Sequence, residues 1–451
     1  MKITKTDVLW NYAATFLKIA ATALLLPFIL KLMSAETVGI WTIFMTISSF
    51  VWLLDFGFSP SFTRNITYIY SGVRTLKAKG FHLIEDSSST TIDFGLLKGI
   101  IKTMRWFYFR VALVLFIFLV TLGTFYIHTI LKNYSGNDKE IYIAWILFCI
   151  INAYNLYTLY YDCLLQGKGL IKRSKQIIII GQIVYLIIAA ILISFGFGLI
   201  AIVSAQVVSV IIVRLLSYQS FFTKEVKQNL QDAISCPQKD ILLAIYPNSI
   251  KVGITTLGGL MVQKSSIFIG SLFLTLKEVA SYGITVQFLT IISVMAGIYT
   301  TTYLPQIASF RISQNHSAIK KIYIKGEVFL ISTYLIGGTF LLFFGKILLN
   351  ILGSQTQIMP IMILATALVI SLLETNHSIA GSILLSKNEV PYFKASIIAG
   401  FTTVLLLLLF LNFFHDLRLW ALILAPGIAQ IVYQNWKWPT VVAKELQIFK
   451  R

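Results

Sequence analysis

The sequence predicts an all-α integral membrane protein of about twelve transmembrane helices, in two six-helix halves with both termini cytoplasmic. Three observations predict it. Apolar stretches of membrane-spanning length recur along all 451 residues. With 57% hydrophobic residues, 12% charged and a mean hydropathy of +0.81, there are too few charges to cover a soluble surface. The basic residues, finally, concentrate in alternate loops.

A helix needs about 20 apolar residues to cross a hydrocarbon core of about 30 Å. Lipid offers no hydrogen-bond partners, so the backbone must be satisfied within helices or closed barrels. The runs here are continuous rather than alternating, which excludes barrel strands. Apolar segments lie near 8–33, 38–60, 106–128, 141–162, 176–196 and 199–217. The second half adds 246–273, 279–305, 325–348, 358–385, 395–414 and 419–437. The first run extends to about Met33, longer than the ~7–15 residues of a signal-peptide core, so it reads as a transmembrane helix. The fifth and sixth segments are separated at Phe195-Gly196-Phe197-Gly198, a glycine-rich turn. Cys149, Cys163 and Cys236 form neither a disulfide framework nor a metal-binding spacing.

Orientation follows from the basic residues, which short loops retain on the cytoplasmic side. With both termini inside, the inner segments hold 27 Lys and Arg and the outer loops 6. The net charge of +19 is thereby a matter of topology and of attraction to anionic head groups, and no nucleic-acid partner is expected. The largest inner loop spans about 61–105.

The chain also reads as a repeat. Ala35-Glu36-Thr37-Val38-Gly39-Ile40-Trp41 aligns with Leu276-Lys277-Glu278-Val279-Ala280-Ser281-Tyr282 at an offset of 241 residues. The halves are therefore 1–240, an N-terminal six-helix half with a cytoplasmic linker, and 241–451. Six helices per half make the repeat parallel, about an axis along the membrane normal. Transporters place substrate between such halves and alternate access by rocking them.

Ionisable residues deep in a membrane cost at least ~2.5–3.5 kcal/mol and face a cavity or a partner. Asn11, Thr15, Lys18 and Thr22 share one face of the first segment, a polar stripe with a cation in it. The seventh segment repeats the pattern with Asn248, Lys251, Thr255 and Gly258. Lys251 lies near the inner surface, where snorkelling is an alternative, and Lys264 lies deeper. The thirteen residues between them turn a helix by about 220°, so both face one cavity only if the helix bends. Arg110, a few residues inside its segment, reads as a substrate contact or an interface anchor. Glu374, with His377 one turn on, is the leading ion-coupling candidate, weighed against a structural hydrogen-bonding role. Asp55 is a further coupling candidate, although it and Asp162 sit near inner helix ends, where a salt bridge or solvation is the plainer role. Cation-rich, anion-poor membrane segments point to an anionic cargo. No phosphate-binding loop, zinc motif, cofactor signature or carboxylate pair is present, and no catalytic activity is expected.

Several stretches resemble the polysaccharide flippases of the Wzx type. They are Asn11 in the first helix, the Glu36–Trp41 turn, Leu54-Asp55-Phe56-Gly57-Phe58-Ser59-Pro60 followed by Arg64-Asn65, and Tyr303-Leu304-Pro305. The resemblance is diffuse and covers essentially the whole chain. It implies an inner-membrane flippase of the multidrug/oligosaccharidyl-lipid/polysaccharide exporter superfamily. Such proteins turn undecaprenyl-pyrophosphate-linked oligosaccharide units from the cytoplasmic to the periplasmic leaflet, as in O-antigen or lipopolysaccharide synthesis. It implies a cationic cavity that Lys18, Lys251 and Lys264 would supply, and polysaccharide polymerase or chain-length proteins as partners. The alternative is a cation-coupled small-molecule exporter of the same superfamily.

Overall fold

The computed structural model describes residues 5–74, 76, 92–132, 134–312, 315–385 and 391–448. Among them the chain is helical, without strands. In chain order the helices are α1 Lys5–Leu32, α2 Ala35–Leu53, α3 Phe58–Tyr70, α4 Phe94–Phe118, α5 Thr124–Leu131, α6 Asp138–Tyr157, α7 Tyr160–Gly167, α8 Ile171–Ser194 and α9 Gly198–Phe221. They continue as α10 Lys224–Asp232, α11 Gln238–Gly270, α12 Leu276–Ile312, α13 His316–Ile351, α14 Ile361–Leu385, α15 Phe393–Phe413, α16 Leu419–Ile431 and α17 Gln434–Glu445. Each of the twelve apolar segments is helical. Nine helical stretches among the described residues are long and apolar enough to cross a membrane, so the chain is a multi-pass helical membrane protein.

Local chemistry sets the helix ends. Ser34 Oγ accepts from Thr37 N–H at 3.2 Å ahead of α2, and Asp93 caps α4 through Leu96 N–H at 2.9 Å. Thr275 and Glu278 form a reciprocal capping box on α12, with N–H···O distances of 3.0 and 3.3 Å. Asn315 caps α13 through Ala318 N–H at 3.0 Å. The α8–α9 turn uses Gly196 and Gly198 at φ 84° and 49°, the left-handed conformations that glycine adopts without strain. Between α4 and α5 the backbone widens into a π turn over Leu119–Gly123. Trp145 lies against Gly123 there, and its Nε1 donates to Thr124 Oγ1 at 2.9 Å.

Several helices run past their apolar windows. Lys98 and Lys102 extend α4 at its basic end, where they bond Ala233 O at 2.8 Å and Ser235 Oγ at 3.1 Å. α9 continues to Phe221 and α13 begins at His316, nine residues before its apolar run. The last segment is split, because the chain leaves helical geometry at Tyr433.

Two compact units divide the chain. Unit 1 comprises Met1–Met33 and Ser48–Thr256, and unit 2 comprises Ser34–Ile47 and Leu257–Arg451. This is a division by packing, with other bounds than the halves 1–240 and 241–451 expected from the sequence offset. In unit 1, α8 packs along α1 and α9, with Ser209 Oγ donating to Gly181 O at 2.8 Å. In unit 2, α12, α13 and α14 pack together, and α11 approaches α15 closely where Gly258 meets Gly400. Also within unit 2, residues related by the 241-residue offset meet. Glu36 lies 3.9 Å from Lys277, and a Cβ on Gly283 would collide with the side chain of Thr42.

Candidate functional site

The Asp-x-Gly stretch forms a joint in unit 1. After α2 the chain turns through Phe56 and Gly57, both left-handed at φ 45° and 70°, and re-enters helix at Phe58. The Asp55 carboxylate accepts from Ser59 N–H with both oxygens, at 3.1 and 3.2 Å. Tyr108 Oη, wholly buried on α4, donates to Asp55 Oδ1 at 2.7 Å. Ser59 Oγ meets Cys163 Sγ of α7 at 3.2 Å, so one carboxylate ties α3 to α4 beside α7. Asp55→Ala should lower stability by about 1–3 kcal/mol, because the Tyr108 hydroxyl would be left buried and unpaired. Asp55→Asn, which keeps an acceptor, should lose less; thermal unfolding in detergent measures both.

A second polar site in unit 1 was missed at the level of sequence. Arg214 of α9, 5% exposed, donates from Nη1 to Asp162 Oδ2 at 2.9 Å and from Nη2 to Asn155 Oδ1 at 2.6 Å. Arg214 falls at the inner edge of the 199–217 segment, where a basic residue reads as part of the inner charge; the apolar sequence continuing through Leu215, Leu216 and Phe221 is the signal that it lies within a helix. Arg110 stands apart from it, exposed, with its guanidinium 4.0 Å from the Trp106 ring centroid.

Unit 2 holds the coupling candidates. Glu374 and His377 lie one turn apart on α14. His377 Nδ1 is 2.7 Å from Asn435 Oδ1 on α17. Beyond it Gln434 Nε2 donates to Gln430 Oε1 at 2.7 Å. Ser371 and Thr375, on either side of Glu374 in sequence, join a cluster of hydroxyls with Ser293 of α12 and Tyr334 of α13. Tyr334 Oη lies 2.6 Å from Ser293, 2.7 Å from Ser371 and 2.8 Å from Thr375. Lys264 of α11 is half-buried in the same unit, with no ion-pair partner among the described residues. The side chains of Asn11, Lys18 and Lys251 lie outside the described residues, although their positions fall within α1 and α11.

The sequence matches no protein-family model and no curated protein sequence. Solved structures share its fold. An inward-facing multidrug resistance MATE family transporter of the MOP superfamily aligns with a TM-score of 0.65 at 14% identity, over 97% of this chain and 96% of its own. The lipid II flippase MurJ, in an inward closed conformation, aligns with a TM-score of 0.64 at 13% identity, over 98% of this chain and 88% of its own. An outward-facing MATE family transporter aligns over the full length of both chains at a TM-score of 0.56 and 13% identity. The chain thus has the fold of the MOP-superfamily transporters.

Proposed function

We propose that this protein is a flippase of the bacterial cytoplasmic membrane, working by alternating access on undecaprenyl-pyrophosphate-linked oligosaccharide units. The observation that carries this reading is the sign of the charge within the membrane helices. Lys18, Lys251 and Lys264 belong to α1 and α11, and neither helix carries a carboxylate within its apolar stretch. Fixed ammonium groups in a low-dielectric setting attract an anionic head group strongly and disfavour a cationic cargo. The diphosphate of a lipid-linked sugar meets that chemistry, and the fold is shared with a flippase whose name specifies a lipid-linked substrate. The chain's own part is to bind, shield and release the polar head group while the lipid tail stays in the bilayer.

The multidrug transporters of the same fold favour a second reading, a cation-coupled small-molecule exporter. It calls for acidic side chains in α1 and α11, and there the sequence places lysines. Deleting the gene tests the two. The flippase reading expects lipid-linked units to accumulate on the cytoplasmic face and surface polymer to be lost, with both restored by the wild-type gene. Normal surface polymer in a strain without a redundant flippase would refute it, and drug hypersensitivity alone would favour the exporter.

A further inference from the structure

Glu327 lies on α13, eleven residues beyond His316 and so about 16 Å along the helix axis. Glu327 is the third residue of the apolar run that starts at 325, and from it the helix continues twelve residues further back, to its cap at Asn315. Tyr323, Glu327, Leu330 and Tyr334 fall at i, i+4, i+7 and i+11, on one face. Tyr323 lies one turn before Glu327, near enough for its hydroxyl to interact electrostatically with the carboxylate. The Glu327 oxygen Oε1 is buried with no hydrogen-bond partner among the described residues.

A second orphan lies on the facing helix. Thr300 Oγ1 of α12, in a side chain 1% exposed, also has no partner among the described residues. It sits against Gly326, where a Cβ would collide with it. Two turns further along α13, Tyr334 opens the cluster of hydroxyls it shares with Ser293, Ser371 and Thr375. A carboxylate oxygen left unpaired in a membrane-spanning helix is costly, and such residues mark ion or proton pathways. A metal ion is poorly served here. Hard divalent cations take about six or more oxygens, and among the described residues no three His, Cys, Asp or Glu side chains gather. A proton needs only the one unpaired oxygen.

We propose that Glu327 of α13 is a proton-exchanging site, separate from Glu374 and serving the transport cycle. The site rests on the transporter reading for its purpose but not for its chemistry. On loading, a hydronium ion gives its proton to Oε1, an O–H bond forms and water leaves; unloading reverses the step. On the facing helix α12 the titratable neighbour is Tyr299, whose ring approaches Gly326 and lies against Phe329. On α13 itself Tyr323 lies one turn away on the same face, and Lys325 is exposed.

Dicyclohexylcarbodiimide, a lipophilic reagent, adds to protonated carboxyl groups in apolar surroundings. The full-length protein in liposomes is treated across roughly pH 5 to 9, above the ordinary carboxylate range, and its peptides are mapped by mass spectrometry. An adduct on Glu327 that falls several-fold as pH rises is the expected result. No adduct there at any pH, or one indifferent to pH, overturns the proposal. In a parallel pH-jump on the purified protein, Glu327→Gln should release one proton fewer than wild type over the same window, and Glu327→Asp should keep it. Equal release by wild type and Glu327→Gln also overturns it. Neither measurement involves a sugar lipid, so failure of the flippase reading and failure of this one are told apart.

Discussion

Arg214→Ala is expected to cost about 3–5 kcal/mol, the range seen when one partner of a buried ion pair is removed. The guanidinium bridges α9 to α6 and α7, and its loss leaves the Asp162 carboxylate without its cation and Asn155 Oδ1 without its donor. A lysine cannot repair this, because one ammonium group does not reproduce the planar fork that reaches both acceptors. Arg214→Lys should therefore fall between wild type and Arg214→Ala. Adding Asp162→Asn to Arg214→Ala should recover part of the loss by removing the stranded charge. Thermal unfolding in detergent, with the yield of monodisperse protein, reads all three variants against wild type. A wild-type melting temperature for Arg214→Ala would mean that the pair is exchanged for solvent or lipid at no cost.

Lys18→Ala should impair function while sparing the protein. An ammonium group at that depth costs at least ~2.5–3.5 kcal/mol on insertion scales, so its removal should leave membrane levels unchanged or raised. If Lys18 meets the head group, surface polymer should fall by roughly tenfold or more, the equivalent of about 1.4 kcal/mol of lost binding. Lys18→Arg keeps the charge and should retain part of the activity. Complementation of a deletion strain, normalised to protein in the membrane fraction, measures this. Full complementation by Lys18→Ala would remove Lys18 from the cargo path.

Period and charge made the helices legible, since each apolar segment found a helix and the Phe195–Gly198 turn fell where its glycines placed it. Hydropathy did not reveal where helices continue beyond the apolar window. Arg214 and Glu327 fall just inside the edges of the 199–217 and 325–348 segments, where a charge reads as an interface residue unless the continuation of the helix beyond the segment is known. Asp55 shows a different gap. Its motif was conspicuous, but that the carboxylate caps α3 and receives Tyr108 depends on α4 folding across it. The coupling candidates Glu374 and His377 were legible as polar residues in an apolar run. Their surroundings, including Asn435 fifty-eight residues away, were not.

Thr42 and Gly283, which touch, are matched by the 241-residue offset that the sequence suggests for a repeat. In an assembly of two identical chains, a residue on a twofold axis meets its own copy, so both sides must be small or both must share the space. A threonine fitted into the room left by a missing side chain is open only to copies whose sequences can differ. A repeat joined in one polypeptide would have a freedom that a symmetric dimer lacks: one partner can be a plug and the other its socket.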